Sequence, residues 1–182
     1  MRNLGLLFGL QGGLLLLGTS GMLLLGLPLD TPQREQSIWL AVALLLSLWY
    51  LEVIFQKTFP ASFMEVERLH RELGVALRQA RLGPPALLLL AFLSGIAEEI
   101  FFRGLLQSLL MAWLGPGGLF LQALLFALLH PAPPRAFAYP LYTFVAGLLL
   151  GWAYLHTGSL FPGILAHVLH NARGFYELWR ET

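Results

Sequence analysis

Long apolar runs alternate with short polar breaks along this chain. The runs cover roughly residues 4–27, 38–55, 86–113, 118–131, 137–156 and 159–179. A helix needs about 20 apolar residues to cross a bilayer. The pattern therefore predicts six spanning helices, the fourth of them short. The breaks LDTPQREQ (29–36), GPGG (115–118) and HPAPP (130–134) are rich in turn-forming residues. The longest polar segment, residues 56–85, has a rhythm of its own. Phe63, Val66, Leu69, Leu73, Leu77 and Ala80 recur at spacings of three or four. That spacing predicts an amphipathic helix on the membrane surface, ended by GPP (83–85). Ser62 and Glu65 have the spacing of a capping box at its start. The predicted fold is all-α: a polytopic transmembrane bundle of about six spanning helices plus one interfacial amphipathic helix. It divides into residues 1–85, two N-terminal spans with the amphipathic segment, and residues 86–182, a four-helix core.

Composition strengthens the membrane reading. The chain is 57% hydrophobic and 12% charged, where a soluble domain is about a quarter charged; its mean hydropathy is +0.71. A net charge of +1 argues against a nucleic-acid partner. The absence of cysteine excludes disulfides, thiol catalysis and cysteine metal sites. The start, MRNLGLLFGL, resembles a signal peptide, but its apolar stretch runs to about residue 29 without a small-x-small cleavage site, so a retained helix is expected. With the N-terminus inside, Arg2, Lys57, Arg68, Arg71, Arg78, Arg81, Arg135, Arg173 and Arg180 fall on inner segments, and Arg34 alone on an outer one. Such a bias predicts both termini in the cytoplasm of a prokaryotic cell, with membrane lipids as the immediate partners. Trp39, Trp113 and Trp152 near outer ends, and Tyr176 and Trp179 near an inner end, suit aromatic belts. Gly5, Gly9 and Gly13, and Gly147 and Gly151, recur every four residues and are expected to line helix-packing faces.

Against this background SGIAEEIFFRGLLQ (94–107) is anomalous. Each ionisable group inside a bilayer costs at least about 2.5 kcal/mol on insertion scales. Glu99 and Arg103, four apart, can pair directly. Glu98 is about 100° round the helix and can face elsewhere. FALLH (126–130) puts Phe126 and His130 on one helix face, and HVLHN (167–171) does the same for His167 and Asn171, with His170 beside them. A glutamate, histidines and an asparagine converging inside a bundle can move protons and polarise a carbonyl. The remaining polar residues read more plainly. His156 is interfacial, His70 solvated, Glu52 placed to snorkel or meet Lys57, and Gln11 and Gln122 interhelical hydrogen-bonders.

EEIFFR (98–103), FALLH and HVLHN fit EExxxR, FxxxH and HxxxN. In this order, on separate helices, they resemble the CPBP family: the type II CAAX prenyl proteases and the bacteriocin-processing and self-immunity proteins. The resemblance covers about residues 86–175. It implies a glutamate-type intramembrane endopeptidase acting on a membrane-attached or lipidated, CAAX-like peptide. Glu98 would activate a water, with His130 also holding it. His167 and Asn171 would stabilise the oxyanion. Glu99, Arg103 and Phe126 would support the site, and no metal would be required. Family members often have about eight spans, against six expected here, and the missing elements lie outside the motifs. The third helix is long enough to begin below the membrane, which places the site in the cytoplasmic half. Two other readings use the same residues. Glu98, His130 and His167 could form an open three-ligand zinc site, although no HExxH is present. Alternatively the buried charges serve a non-catalytic scaffold, immunity factor or transporter subunit.

Overall fold

The structure, a computed structural model, describes residues 2–29, 35–130 and 132–181. Arg34, the one outer cation of the sequence reading, lies outside them. The chain folds as helices throughout, with no strand among the described residues: α1 (Arg2–Leu24), α2 (Glu35–Thr58), α3 (Pro60–Gln79), α4 (Pro84–Glu98), α5 (Ser108–Leu114), α6 (Gly117–Leu128), α7 (Ala138–Thr157) and α8 (Phe161–Glu181). A π-helical segment, Glu99–Gln107, joins α4 to α5, so that Pro84–Leu114 is one continuous rod.

Three helical stretches are long and apolar enough to cross a membrane: Ser37–Thr58, Pro84–Leu114 and Ala138–Thr157. They match three of the six expected spans. The apolar part of α1, Phe8–Leu24, and the whole of α6 are shorter. The 12 residues of α6 rise about 18 Å, against a hydrocarbon core of about 30 Å. α8 is long but amphipathic, because His167, Asn171 and Arg173 share it with Leu169 and Tyr176. Outward-facing Leu16, Leu24, Trp39, Leu88, Trp113 and Leu128 are exposed, the apolar outer surface that lipid contact requires.

The sequence reading treated residues 86–113 as an ordinary α-helix, and the π segment is a departure from it. Its cause lies on α7. Arg103 Nη2 donates to Gly147 O at 3.4 Å, and Gln107 Nε2 to Gly151 O at 2.8 Å. In an α-helix, each step of four residues drifts about 40° round the axis. The wider turn of a π-helix, with i→i+5 bonds, reduces that drift. Glu99, Arg103 and Gln107 therefore stay on one face, and all three are almost fully buried. Gly147 and Gly151 make the approach possible. A Cβ on Gly151 would stand 2.6 Å from the side chains of both Gln107 and Gln122. At Gly5, Gly9 and Gly13, where a packing face was expected, no side chain or backbone among the described residues comes within 4 Å of the place a Cβ would occupy. α1 meets the rod further on, where a Cβ on Gly18 would stand 3.0 Å from Phe101 backbone.

Leu44 and Leu48 of α2, Ala146 and Leu150 of α7 and Ala166 of α8 form one core cluster. Phe55, Phe63, Ala138 and Tyr142 form another, which seats α3. α3 is amphipathic as predicted, with Phe63, Val66 and Leu77 on its buried side. Its start differs from the expected capping box. Pro60 opens the helix, and Ser62 Oγ accepts the Ala138 amide at 3.1 Å. At its far end the Arg78 guanidinium donates to Trp179 O and lies 5.5 Å from the Trp179 ring centroid. α3 is thereby fastened to α8.

Candidate active site

Four segments bring the predicted residues together: the α4–π junction with Glu98, Glu99 and Arg103; the end of α6 with Phe126 and His130; α8 with His167 and Asn171; and α1, which contributes Gln11. α8 can reach the junction because two glycines let it in. A Cβ on Gly95 would collide with Val168, and one on Gly163 would stand 2.6 Å from Glu99 Oε2.

Arg103 is completely buried. Its Nη1 donates to Glu99 Oε1 at 2.9 Å, the pairing expected from their spacing. Its guanidinium also stacks 4.3 Å from the Phe126 ring centroid, a cation–π contact strengthened by desolvation. Phe126 in turn packs against Phe102 (5.1 Å), His130 (4.6 Å) and His167 (6.0 Å). It is the apolar floor on which the charged groups stand.

The two histidines are oriented through Nδ1. His130 Nδ1 donates to the Phe126 carbonyl at 2.8 Å. His167 Nδ1 donates to Glu99 Oε1 at 3.0 Å. Each ring therefore turns Nε2 towards Glu98 Oε2, at 3.8 Å from His130 and 3.7 Å from His167. Glu98 Oε2 is buried and has no hydrogen-bond partner among the described residues, whereas Oε1 accepts from Gln11 Nε2 at 2.9 Å. Asn171 Nδ2 donates to Ser94 Oγ at 3.0 Å, and Ser94 donates to the Ala91 carbonyl. An amide nitrogen has two protons, so Asn171 is anchored with one still to offer.

A cavity of about 520 Å³ opens from Glu98 between α1, α3 and α8, with Gln11, Val66, His130 and Asn171 in its walls. That size is in the range of ligand-binding clefts. A second space of about 60 Å³ lies between His130, Tyr142, His167 and His170, roomy enough for water.

Two ligands at about 2.0 Å on a tetrahedral ion stand about 3.3 Å apart, closer than the separations of Glu98 from either ring. No group of three His, Asp or Glu side chains among the described residues is arranged to hold a metal ion.

Several residues behave differently from the sequence reading. Gln11 makes the interhelical hydrogen bond expected of it, but to Glu98, so that it touches the site, as Ser94 does, and Gln107 anchors the rod. Their only signal was polarity inside apolar runs. His170 turns away and pairs with Tyr142 OH at 3.0 Å. Glu52 meets Arg173 at 3.6 Å rather than Lys57. His70 is partly buried rather than fully solvated; it lines the large cavity and packs edge-on against Tyr139 at 6.0 Å, and burial pushes its pKa down. His156 stacks on Trp152 at the end of α7.

Residues 80–173 match the family described as Rce1-like, type II CAAX prenyl endopeptidase. The Bacillus subtilis (strain 168) protein named "Uncharacterized protein YpbD" is 26% identical over 135 residues, 74% of this chain and 65% of the relative. The chain thus spans a little under two thirds of that relative's length. No solved structure matches it. The family match covers more than half of the chain and takes in the three motifs that the fold brings together, and the chain belongs to the Rce1-like family of type II CAAX prenyl endopeptidases.

Proposed function

We propose that the protein is an intramembrane endopeptidase that cleaves a membrane-attached or lipidated peptide with a water activated by Glu98. The observation that carries this reading is Glu98 Oε2, buried, without a hydrogen-bond partner among the described residues and facing both His130 and His167 Nε2. A water between Glu98 and His130 would donate one proton to each acceptor and present its oxygen to a carbonyl carbon. Attack forms the C–O bond, and Glu98 takes the proton. The negative charge moves to the carbonyl oxygen, where His167 Nε2–H and the free Asn171 N–H would hold it. Glu98 then returns the proton to the amide nitrogen as the C–N bond breaks. For His167 to donate from Nε2 its ring must carry two protons.

Glu99 and Arg103 position His167 and touch no substrate. The large cavity, walled by α3 and open to Glu98, suits a peptide arriving along the membrane surface. The inner excess of Lys and Arg supports both termini in the cytoplasm, and we place the protein in a prokaryotic cytoplasmic membrane.

The test is cleavage of prenylated and unprenylated membrane-attached peptides by purified protein, beside Glu98→Gln, with and without chelator. Cleavage by wild type alone, unaffected by chelator, is expected. Equal cleavage by both proteins would sink the role of Glu98. Loss with chelator and recovery with zinc would sink the metal-free step.

A further inference from the structure

Gln11 stands outside every motif of the site, 87 residues before Glu98 on α1, and outside residues 80–173 that match the family. Yet its side chain is buried, and its Nε2 donates to Glu98 Oε1 at 2.9 Å. The placement is built by a whole helix face. Gln11, Leu14, Gly18 and Met22 recur at spacings of three and four, and all are buried. Gly18 lets α1 lie against the Phe101 backbone, and a Cβ on Gly21 would run into Leu105. Met22, fully buried, fills the space that a side chain on Gly104 would need. These contacts fix how far α1 slides along the rod, and so bring Gln11 level with Glu98.

A carboxylate held at neither oxygen can rotate and swap them. Held at Oε1 by Gln11, Glu98 keeps Oε2 directed at the two histidines. We propose that Gln11 is a positioning residue: it clamps Glu98 Oε1 so that Oε2 is the oxygen that takes the proton from water. The hydrolytic part of this inference rests on the reading of Glu98 as the base; the clamp itself does not.

The first measurement therefore needs no substrate. Dicyclohexylcarbodiimide, an apolar reagent, attaches to protonated carboxyl groups. The purified full chain would be labelled across pH, and tandem mass spectrometry would separate Glu98 from Glu99. Removing a donor to a carboxylate favours its protonated form. In Gln11→Met, of similar length and shape, the labelling midpoint of Glu98 is expected to rise by about one to two pH units. Gln122→Met removes another buried glutamine, bonded at 3.1 Å to Gly147 O, and is expected to leave that midpoint in place. Glu99, Arg103, His130, His167 and Tyr139 also face Glu98 and are unchanged in both variants. Equal midpoints in wild type and Gln11→Met would overturn the clamp. Should Gln11→Met fail to fold, Gln11→Glu places a second carboxyl against the first. Two carboxyls so close share a proton, so labelling at position 98 or 11 should persist to higher pH than in wild type; its absence would equally overturn the clamp. With any peptide that wild type cleaves, Gln11→Met is expected to lower kcat about tenfold or more with KM little changed. An unchanged kcat beside a raised midpoint would overturn the hydrolytic role alone, whereas a wild type that cleaves nothing counts against the protease reading and not against the clamp.

Discussion

Glu98 and Glu99 are chain neighbours, both buried in the same bundle, and the fold treats them oppositely. Glu99 is bound by Arg103 and His167 and pressed against Gly163. Glu98 is held at one oxygen by Gln11 and left free at the other, at the edge of a 520 Å³ cavity. The helix supplies this split, since adjacent side chains point about 100° apart. One direction meets α7 and α8 and is sealed; the other meets the cavity. The contrast teaches that a buried charge is tolerated in two ways. One is saturated pairing, which builds the fold. The other is partial pairing, which leaves an acceptor for chemistry.

The strongest way to break the comparison is to neutralise each glutamate in turn. Glu98→Gln is expected to lower kcat by about 100- to 10,000-fold, the range of a general base, while the thermal unfolding midpoint in detergent stays near that of wild type. The carboxamide keeps an oxygen for Gln11. Glu99→Gln should do the reverse in kind. It leaves the Arg103 guanidinium buried without a counter-charge, at a cost of about 3–5 kcal/mol in stability. Glu99→Gln combined with Arg103→Met should regain part of that loss, because the unpaired charge is gone. If Glu98→Gln proved the more destabilising variant and Glu99→Gln the milder one, the division between them would be wrong.

A finer cut falls on the side of the proposed oxyanion donors. Asn171→Ala removes a donor from the cavity and should cost about 100- to 1000-fold in kcat, read on the same peptides with folding checked by thermal shift. Ser94→Ala removes only the anchor of that amide, so its loss should be smaller than that of Asn171→Ala. Equal losses would mean that the Ser94 hydroxyl itself reaches the substrate.

Much of this was legible in the chain, because the signals are local. Apolar runs gave the helices, spacings of three and four gave the amphipathic α3, and the spacing of four gave the Glu99–Arg103, Phe126–His130 and His167–Asn171 pairs. Each depends on a single helix and its period. What stayed hidden depends on a partner far along the chain. The π segment exists because Arg103 and Gln107 reach carbonyls of Gly147 and Gly151, 44 residues away. Gln11 reads as an interhelical hydrogen-bonder, but its partner, Glu98, is set only by how α1 docks. Glu52 chose Arg173 over the nearer Lys57 because α8 crosses α2 there. The same blindness applies to span number, since apolar length cannot say whether the 12 residues of α6 face lipid end to end or stop inside the bundle.

The smallest effect concerns the wall opposite the two glutamates. His70 on α3 packs edge-on against Tyr139, which itself contacts the His130 ring at 6.4 Å. Burial lowers the pKa of His70, and the nearby Glu67 carboxylate only partly opposes this. The sign follows by linkage. The unfolded chain takes up a proton at an ordinary histidine value of about 6.5, where the folded chain still resists it. The unfolded state thus binds more protons as pH falls, and stability falls with it. The contribution of the neutral ring is complete above about pH 6.5 and is lost progressively below it, levelling off once the folded ring is also protonated. His70→Gln has no such proton. The gap in thermal midpoint between wild type and His70→Gln should therefore shift against wild type between pH 7.5 and 5, and a gap independent of pH would mean that the ring is solvated after all.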